Sequence, residues 1–194
     1  MYKKFFKRMM DIVLSVTAVF ALALPMIIIA VIVRVDSLGP AFFRQTRVGR
    51  DGKEFLMLKF RTMKKSAPHD TPTDELDGAG RYVTRVGRFL RRSSLDELPQ
   101  LFNILCGHMS FIGPRPALPS QTELLDLREQ NGASKLRPGL SGWAQINGRD
   151  LIDDAKKAQL DGEYAKRISF ALDAKCFFGT VKCVLRADGF CDGE

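Results

Sequence analysis

The chain has 194 residues, 45% of them hydrophobic, and 30 Lys and Arg against 22 Asp and Glu give a formal charge of +8. That length holds about one domain, and the hydrophobic share supports a folded core, which excludes a disordered chain. With 16 Gly, 9 Pro and no internal repeat, low-complexity and collagen-like architectures are excluded too. The surplus positive charge calls for an anionic partner, whether nucleic acid, anionic lipid or a phosphorylated substrate.

From Ile12 to Val33 run 22 residues without a charge. As a straight helix they would cover about 33 Å, enough for a bilayer core. Lys3, Lys4, Lys7 and Arg8 precede the run, and Arg34, Arg44, Arg47 and Arg50 follow it. Basic residues at both ends suit a segment that enters and leaves one leaflet, whereas a span leaves its positive excess on the cytoplasmic side. Pro25 supplies the expected break, dividing the run into Ile12 to Leu24 and Met26 to Val33, each too short to span alone. A proline-kinked spanning helix is the alternative.

Two short apolar runs, Ala41 to Gln45 and Lys53 to Phe60, flank Val48, Gly49, Asp51 and Gly52 and predict a β-hairpin. Lys59 and Arg61, two apart, point to one face of the second strand, where they can grip two phosphate oxygens or simply face solvent. Residues 64–80 read as a loop, so their Asp74-Glu75 pair is a solvated one. Arg81, Arg85, Arg88 and Arg92 then stack on one helical face opposite Val86, Phe89 and Leu90. Gly87 weakens that helix. Nucleic acid would need aromatic residues interleaved on this stripe, and only Tyr82 and Phe89 lie there, so no nucleic-acid partner is expected.

Ser94 followed three residues later by Glu97 has the form of a capping box, with Asp96 at the positive end of the helix dipole. The same adjacent carboxylates, reached from an arginine stripe, also describe a nucleophile or metal ligand awaiting a phosphate. Pro114 and Pro116 hold Arg115 in a restricted backbone, and Arg137-Pro138-Gly139 is a second rigid turn leading to Arg149. Arginines presented this way suit a diphosphate, each with a structural ion pair as its plain alternative. From Asp153 to Arg186 the chain is helix-compatible, packing on the core or lying as an amphipathic helix at a membrane surface. Cys106, Cys176, Cys183 and Cys191 form no C-x-x-C pair, and His69 and His108 are the only histidines. Reduced thiols in a cytoplasmic setting are therefore expected, and a zinc site is not.

Taken together, these blocks resemble the small monotopic phosphoglycosyltransferases of bacteria, the polyprenyl-phosphate sugar-1-phosphate transferases. The likeness is carried by the basic start before a proline-containing apolar helix, by Lys59-Phe60-Arg61-Thr62-Met63, and by Ser94-Leu95-Asp96-Glu97-Leu98-Pro99-Gln100-Leu101. It continues through Met109-Ser110-Phe111-Ile112-Gly113-Pro114-Arg115-Pro116, Arg137-Pro138-Gly139 and Gly142-Trp143-Ala144-Gln145-Ile146-Asn147-Gly148-Arg149. Several members carry Ser-Pro at the helix break, whereas this chain has Leu24-Pro25.

The resemblance implies an α+β, predominantly helical fold. Residues 1–36 would form a re-entrant membrane helix-break-helix, and residues 37–194 a cytoplasmic catalytic domain with a β-hairpin and interfacial amphipathic helices. It implies transfer of a sugar-1-phosphate from a UDP-sugar to polyprenyl phosphate at the cytoplasmic face of the bacterial inner membrane, with release of UMP and membrane lipids as partners. In the family's ping-pong scheme Asp96 becomes an aspartyl phosphosugar and Glu97 assists. Mg²⁺ neutralises the diphosphate, with Asp96 its nearest ligand. Lys59, Arg61, Arg91, Arg115, Arg137 and Arg149 are the implied substrate contacts, and Asp173 the implied supporting acid. A membrane-tethered nucleotide-sugar hydrolase would use the same cationic site with water as acceptor. The resemblance names neither the sugar, since epimers differ by one hydroxyl, nor an oligomeric state.

Overall fold

The computed structural model describes residues 2–67, 79–148 and 152–186. A π-helical turn, Tyr2–Phe6, leads into α1, Lys7–Asp36, a helix of 30 residues. Pro25 lies inside α1 and does not end it, so the expected division at that residue is absent. Proline removes one backbone donor, and the helix around it is held by packing. Leu22, Met26, Ile29, Ala30 and Val33 pack with Phe60 and Leu90, while Ala18, Val19 and Leu22 lie on Phe55, Met57, Leu101, Ile104 and Met109.

α1 is long and apolar enough to cross a bilayer, yet both of its ends are tied to the rest of the chain. Near its start Arg8 donates to the carbonyls of Ile104 and Leu105 at 2.6 and 2.9 Å. Buried Asp11 accepts from Ser110 Oγ at 3.1 Å and the Phe111 amide at 3.0 Å. Beyond its end Arg61 donates to the carbonyls of Ser37 and Leu38 at 2.5 and 2.8 Å. The helix therefore lies along the domain. Its other face, including Phe20, Leu24, Ile27, Val31 and Val35, is exposed and apolar.

The predicted hairpin forms from β1, Phe42–Val48, and β2, Glu54–Phe60, antiparallel, with Phe42 opposite Phe60 and Val48 opposite Glu54. Asp51 and Gly52 turn it with φ of 57° and 73°, the left-handed region that Asp tolerates and Gly adopts freely. α2 spans Arg85–Arg92 and is capped by Thr84, whose Oγ1 accepts from the Gly87 amide at 2.9 Å. A Cβ on Gly87 would stand 2.0 Å from the Thr62 carbonyl oxygen, so this glycine lets α2 seat on the chain leaving β2. The arginine stripe is shorter than expected. Arg81 belongs to a preceding 3₁₀ turn, and Phe89 is exposed beside Arg85, Arg88 and Arg92, leaving Leu90 to fill the core.

α3, Gln100–Leu105, packs on α1 and β2. β3, Ser110–Ile112, and β4, Gly139–Ser141, pair in parallel and bring the two arginine-bearing turns side by side. α4, Thr122–Asn131, then packs on α6, Asp154–Arg167, through Leu124 and Ala158, with α5, Trp143–Ile146, between β4 and α6 in sequence. The C-terminal helical region is two helices. It breaks at Ile168 and Ser169, where Ser169 Oγ accepts from Leu172 N at 3.3 Å to begin α7, Phe170–Arg186. Ile168 and Leu172 join the core of Ile112, Tyr164 and Cys176, while Phe177, Phe178 and Val181 are exposed. The architecture is thus α+β and mostly helical.

Candidate active site

Between α2 and α3 the chain makes one 3₁₀ turn, Leu95–Glu97, entered through Ser94 at φ 55°. Left-handed backbone is strained for serine, and such strain gathers at functional sites. Ser94 makes no side-chain cap to this turn, so the capping box expected from its spacing does not form. The turn delivers two adjacent carboxylates to different surroundings.

Glu97 Oε1 accepts from Lys59 Nζ at 2.7 Å, and Arg115 Nη1 stands 3.8 Å from the same oxygen. Asp96 is 8% exposed, yet it takes part in no hydrogen bond or ion pair among the described residues. The residue is largely buried while its carboxylate oxygens stay accessible to solvent. Burial pushes its carboxyl above the ordinary value, Lys59 pulls it back, Glu97 adds to the rise, and Arg91 and Arg115 oppose it. The result is a carboxylate in a field of cations with its lone pairs uncommitted. A carboxylate so placed is able chemically to accept a cation or to attack an electrophilic centre.

A small cleft opens beside Glu97, lined by Arg47, Met57, Lys59, Glu97, Gln100, Arg115, Pro116, Gly139 and Leu140, with Asp96 next to this lining in sequence and not part of it. Its walls are set by main-chain bonding. Asn103 on α3 accepts from Leu58 N at 2.9 Å and donates to Leu56 O at 2.7 Å, standing in for a strand along the second edge of β2 and so fixing Lys59. Opposite, four successive carbonyls of the Arg115 loop are claimed by four different donors. Pro114 O accepts from Gly139 N at 2.8 Å, Arg115 O from Arg128 Nη1 at 3.0 Å, Pro116 O from Arg47 Nη1 at 3.1 Å, and Ala117 O from Val48 N at 2.9 Å. A Cβ on Gly139 would stand 2.1 Å from Gly113 N, which is why glycine follows Arg137-Pro138.

The sequence model of the family described as bacterial sugar transferase matches residues 2–187. The chain belongs to the bacterial sugar transferase family. A UDP-glucose:undecaprenyl-phosphate glucose-1-phosphate transferase of Xanthomonas campestris pv. campestris is 40% identical over 186 residues, covering 92% of this chain and 38% of that protein. An uncharacterized sugar transferase of Bacillus subtilis strain 168, EpsL, is 38% identical, covering 94% of this chain and 89% of that protein. A UDP-N-acetylgalactosamine-undecaprenyl-phosphate N-acetylgalactosaminephosphotransferase of Aeromonas hydrophila is 37% identical, covering 95% of this chain and 45% of that protein. The chain therefore spans less than half the length of two of these relatives and most of the third.

Of the residues expected to meet substrate in this sugar transferase, Lys59 and Arg115 line the cleft. Arg91 donates through Nε to Thr62 Oγ1 at 2.9 Å and contributes to the field at Asp96. Arg61 does not share a phosphate grip with Lys59. It is 7% exposed and its guanidinium serves the carbonyls that end α1. Arg137 donates through Nε to Gly107 O at 2.8 Å, just beyond α3, and burial with nearby Arg8 and Arg50 lowers its pKa. Asp173 ties distant elements together, and its hydrogen bonds and ion pair go to neither Asp96 nor Glu97. Its carboxylate accepts from Tyr2 and Lys7, each at 2.6 Å, and from Tyr164 at 2.5 Å. Arg149 and the Asp74-Glu75 pair lie outside the described residues.

Arg47, Gln100, Asn103, Arg128 and Asp161 were not singled out for the site by sequence reasoning. Gln100 and Asn103 share a face of α3 three residues apart, a polar pair inside an apolar run, which was the one available signal.

No group of three or more His, Cys, Asp or Glu arranged to hold a metal occurs among the described residues. Mg²⁺, however, is commonly bound by one or two carboxylates together with substrate phosphates. The uncommitted Asp96 carboxylate, with Glu97 beside it, fits that arrangement.

Proposed function

We propose that the protein transfers a sugar-1-phosphate from a UDP-sugar to undecaprenyl phosphate, releasing UMP, by a ping-pong route through Asp96. The observation that carries this reading is the Asp96 carboxylate, nearly buried and bonded to no described residue, in the combined field of Lys59, Arg91 and Arg115. Relatives whose names specify UDP-sugars and undecaprenyl phosphate support the substrates.

In the first half-reaction Asp96 attacks the phosphorus that carries the sugar. A carboxylate O–P bond forms, the diphosphate P–O bond breaks, and UMP leaves. In the second, an oxygen of the lipid phosphate attacks the acyl phosphate, the Asp96 O–P bond breaks, and a sugar diphospholipid results. Lys59 and Arg115 hold the diphosphate and stabilise charge developing on its oxygens. Glu97, fixed by Lys59, orients the lipid phosphate and takes its proton where that phosphate arrives as a monoanion. Asp96, with Glu97, would hold Mg²⁺, which supplies charge neutralisation at the diphosphate.

The transfer is assigned to the cytoplasmic face of the bacterial inner membrane, with both ends of the undivided α1 on that side and its exposed apolar face set into one leaflet. The ties at Arg8, Asp11 and Arg61 support this, because a helix bonded at both ends to one polar domain cannot have its ends on opposite sides of a bilayer while that domain stays in water. Exposed Phe89 among Arg85, Arg88 and Arg92, and Phe177, Phe178 and Val181 beside Lys182, suit an interfacial seat.

The experiment supplies UDP-glucose or UDP-N-acetylgalactosamine with and without undecaprenyl phosphate and follows UMP and labelled lipid. Continuous UMP release that needs the lipid and matches lipid product supports the transferase. Continuous release without lipid identifies a hydrolase.

A further inference from the structure

Two of the four donors that hold the Arg115 loop are arginine side chains, Arg47 held by the Gln45 amide oxygen and Arg128 held by a carboxylate, and it is Arg128 that bonds the carbonyl of Arg115 itself. Arg128 on α4 is only 6% exposed, and its partner Asp161 on α6 is 1% exposed. Asp161 Oδ2 accepts both Nε and Nη2 of Arg128, at 2.9 and 2.7 Å, and the remaining arm, Nη1, donates to the Arg115 carbonyl at 3.0 Å.

A buried ion pair is weak evidence for stability, because an apolar pair of similar volume would join two helices as well or better. Here α4 and α6 already share the apolar contact of Leu124 with Ala158. What an apolar pair cannot do is donate to a carbonyl in a fixed direction. Lysine cannot do it in this place either, since a compact ammonium does not divide between a carboxylate and a carbonyl as a planar fork does. The carboxylate fixes the plane of the guanidinium, and that plane fixes Nη1. Bonded Nη1 in turn fixes the peptide plane between Arg115 and Pro116, whose rings and those of Pro114 already restrict the backbone. The direction in which the Arg115 side chain leaves the chain follows, and its Nη1 arrives 3.8 Å from Glu97 at the cleft.

We propose that Arg128, held by Asp161, is a positioning residue that aims the Arg115 guanidinium at the diphosphate of the nucleotide donor. The proposal rests on the reading that the cleft takes a UDP-sugar. An arginine aimed before the donor arrives loses less freedom on binding, so loss of the clamp weakens donor affinity through Arg115 and by no other route.

The test is a double-mutant cycle on UDP binding, measured by titration calorimetry on the full chain in lipid nanodiscs, with a thermal unfolding transition recorded for each variant. Arg128→Lys is expected to weaken UDP binding about tenfold with Arg115 present, and less than about twofold in an Arg115→Ala background. If Arg128→Lys loses its unfolding transition, Asp161→Asn, which leaves an acceptor for Arg128, goes through the same cycle with the same expectation in direction. Equal weakening in both backgrounds, or none in the first, overturns the positioning role while UDP binding by the unmutated protein keeps the donor reading intact. Absence of UDP binding by the unmutated protein overturns the donor reading and this proposal with it.

Discussion

Asp96 and Glu97 are neighbours in one turn with opposite commitments: Glu97 is bonded to Lys59 at 2.7 Å, whereas Asp96 is bonded to no described residue. The difference assigns them different work. Glu97 is held in place, and Asp96 is left available.

Glu97→Gln keeps the length of the side chain but loses the charge that holds Lys59 and the basicity that receives a proton. Steady-state turnover with lipid acceptor is expected to fall about 10²-fold. KM for the donor is expected to stay within about threefold, because Arg115 and Lys59 remain to bind phosphate. A tenfold rise in KM with unchanged turnover would make Glu97 a binding residue.

Asp96→Asn is expected to stabilise the protein while abolishing turnover. The folded pKa of Asp96 is raised above its ordinary 3.8, so the folded state holds the proton more tightly than the unfolded state does. Stability is then lost as pH rises from the ordinary value through the raised one, and it does not return at neutral pH. The neutral amide escapes that loss. Thermal unfolding should show the variant's Tm advantage growing as pH climbs through the acid range and levelling off above it. A lower Tm than the unmutated protein at neutral pH would contradict the account.

The hairpin was readable from Asp51-Gly52 because a tight turn needs left-handed backbone at just those residue types. α1 was readable from its unbroken apolar run. Its passage through Pro25 was not, because the packing of Met26, Ile29 and Val33 on Phe60 and Leu90 is invisible to local rules. The capping box failed for a similar reason. Ser94 is left-handed, and Glu97 is claimed by Lys59, 38 positions earlier. Arg61 and Asp173 resembled site residues by type, but their partners lie 24 and as many as 171 positions away and are structural.

Arg61 provides the contrast with Arg115. Arg61→Ala is expected to cost about 1.5–3 kcal/mol of stability, the scale of losing hydrogen bonds from a charged donor. KM for the donor should stay within about twofold. Chemical denaturation and donor kinetics measured together check it, and a selective rise in KM would return Arg61 to the cleft.

The two ends of α1 are expected on one side of the membrane. With the native cysteines replaced, single cysteines at Lys3 and Ser37 should both react with an impermeant maleimide in inside-out vesicles and both be protected in right-side-out vesicles. Reaction from opposite faces would make α1 a span and would require the ties at Arg8 and Arg61 to be broken in the bilayer.

The central claim is that the phosphosugar passes through the protein. Incubation of the enzyme with a sugar-labelled UDP donor, without lipid, tests it directly by intact-protein and peptide mass spectrometry. The account predicts one mole of UMP released per mole of enzyme and a phosphosugar adduct on the peptide containing Asp96. Added undecaprenyl phosphate should then move the label to lipid, and Asp96→Asn should show no adduct. Label that reaches lipid at full rate with no adduct formed in its absence, or an adduct that persists in Asp96→Asn, would contradict it.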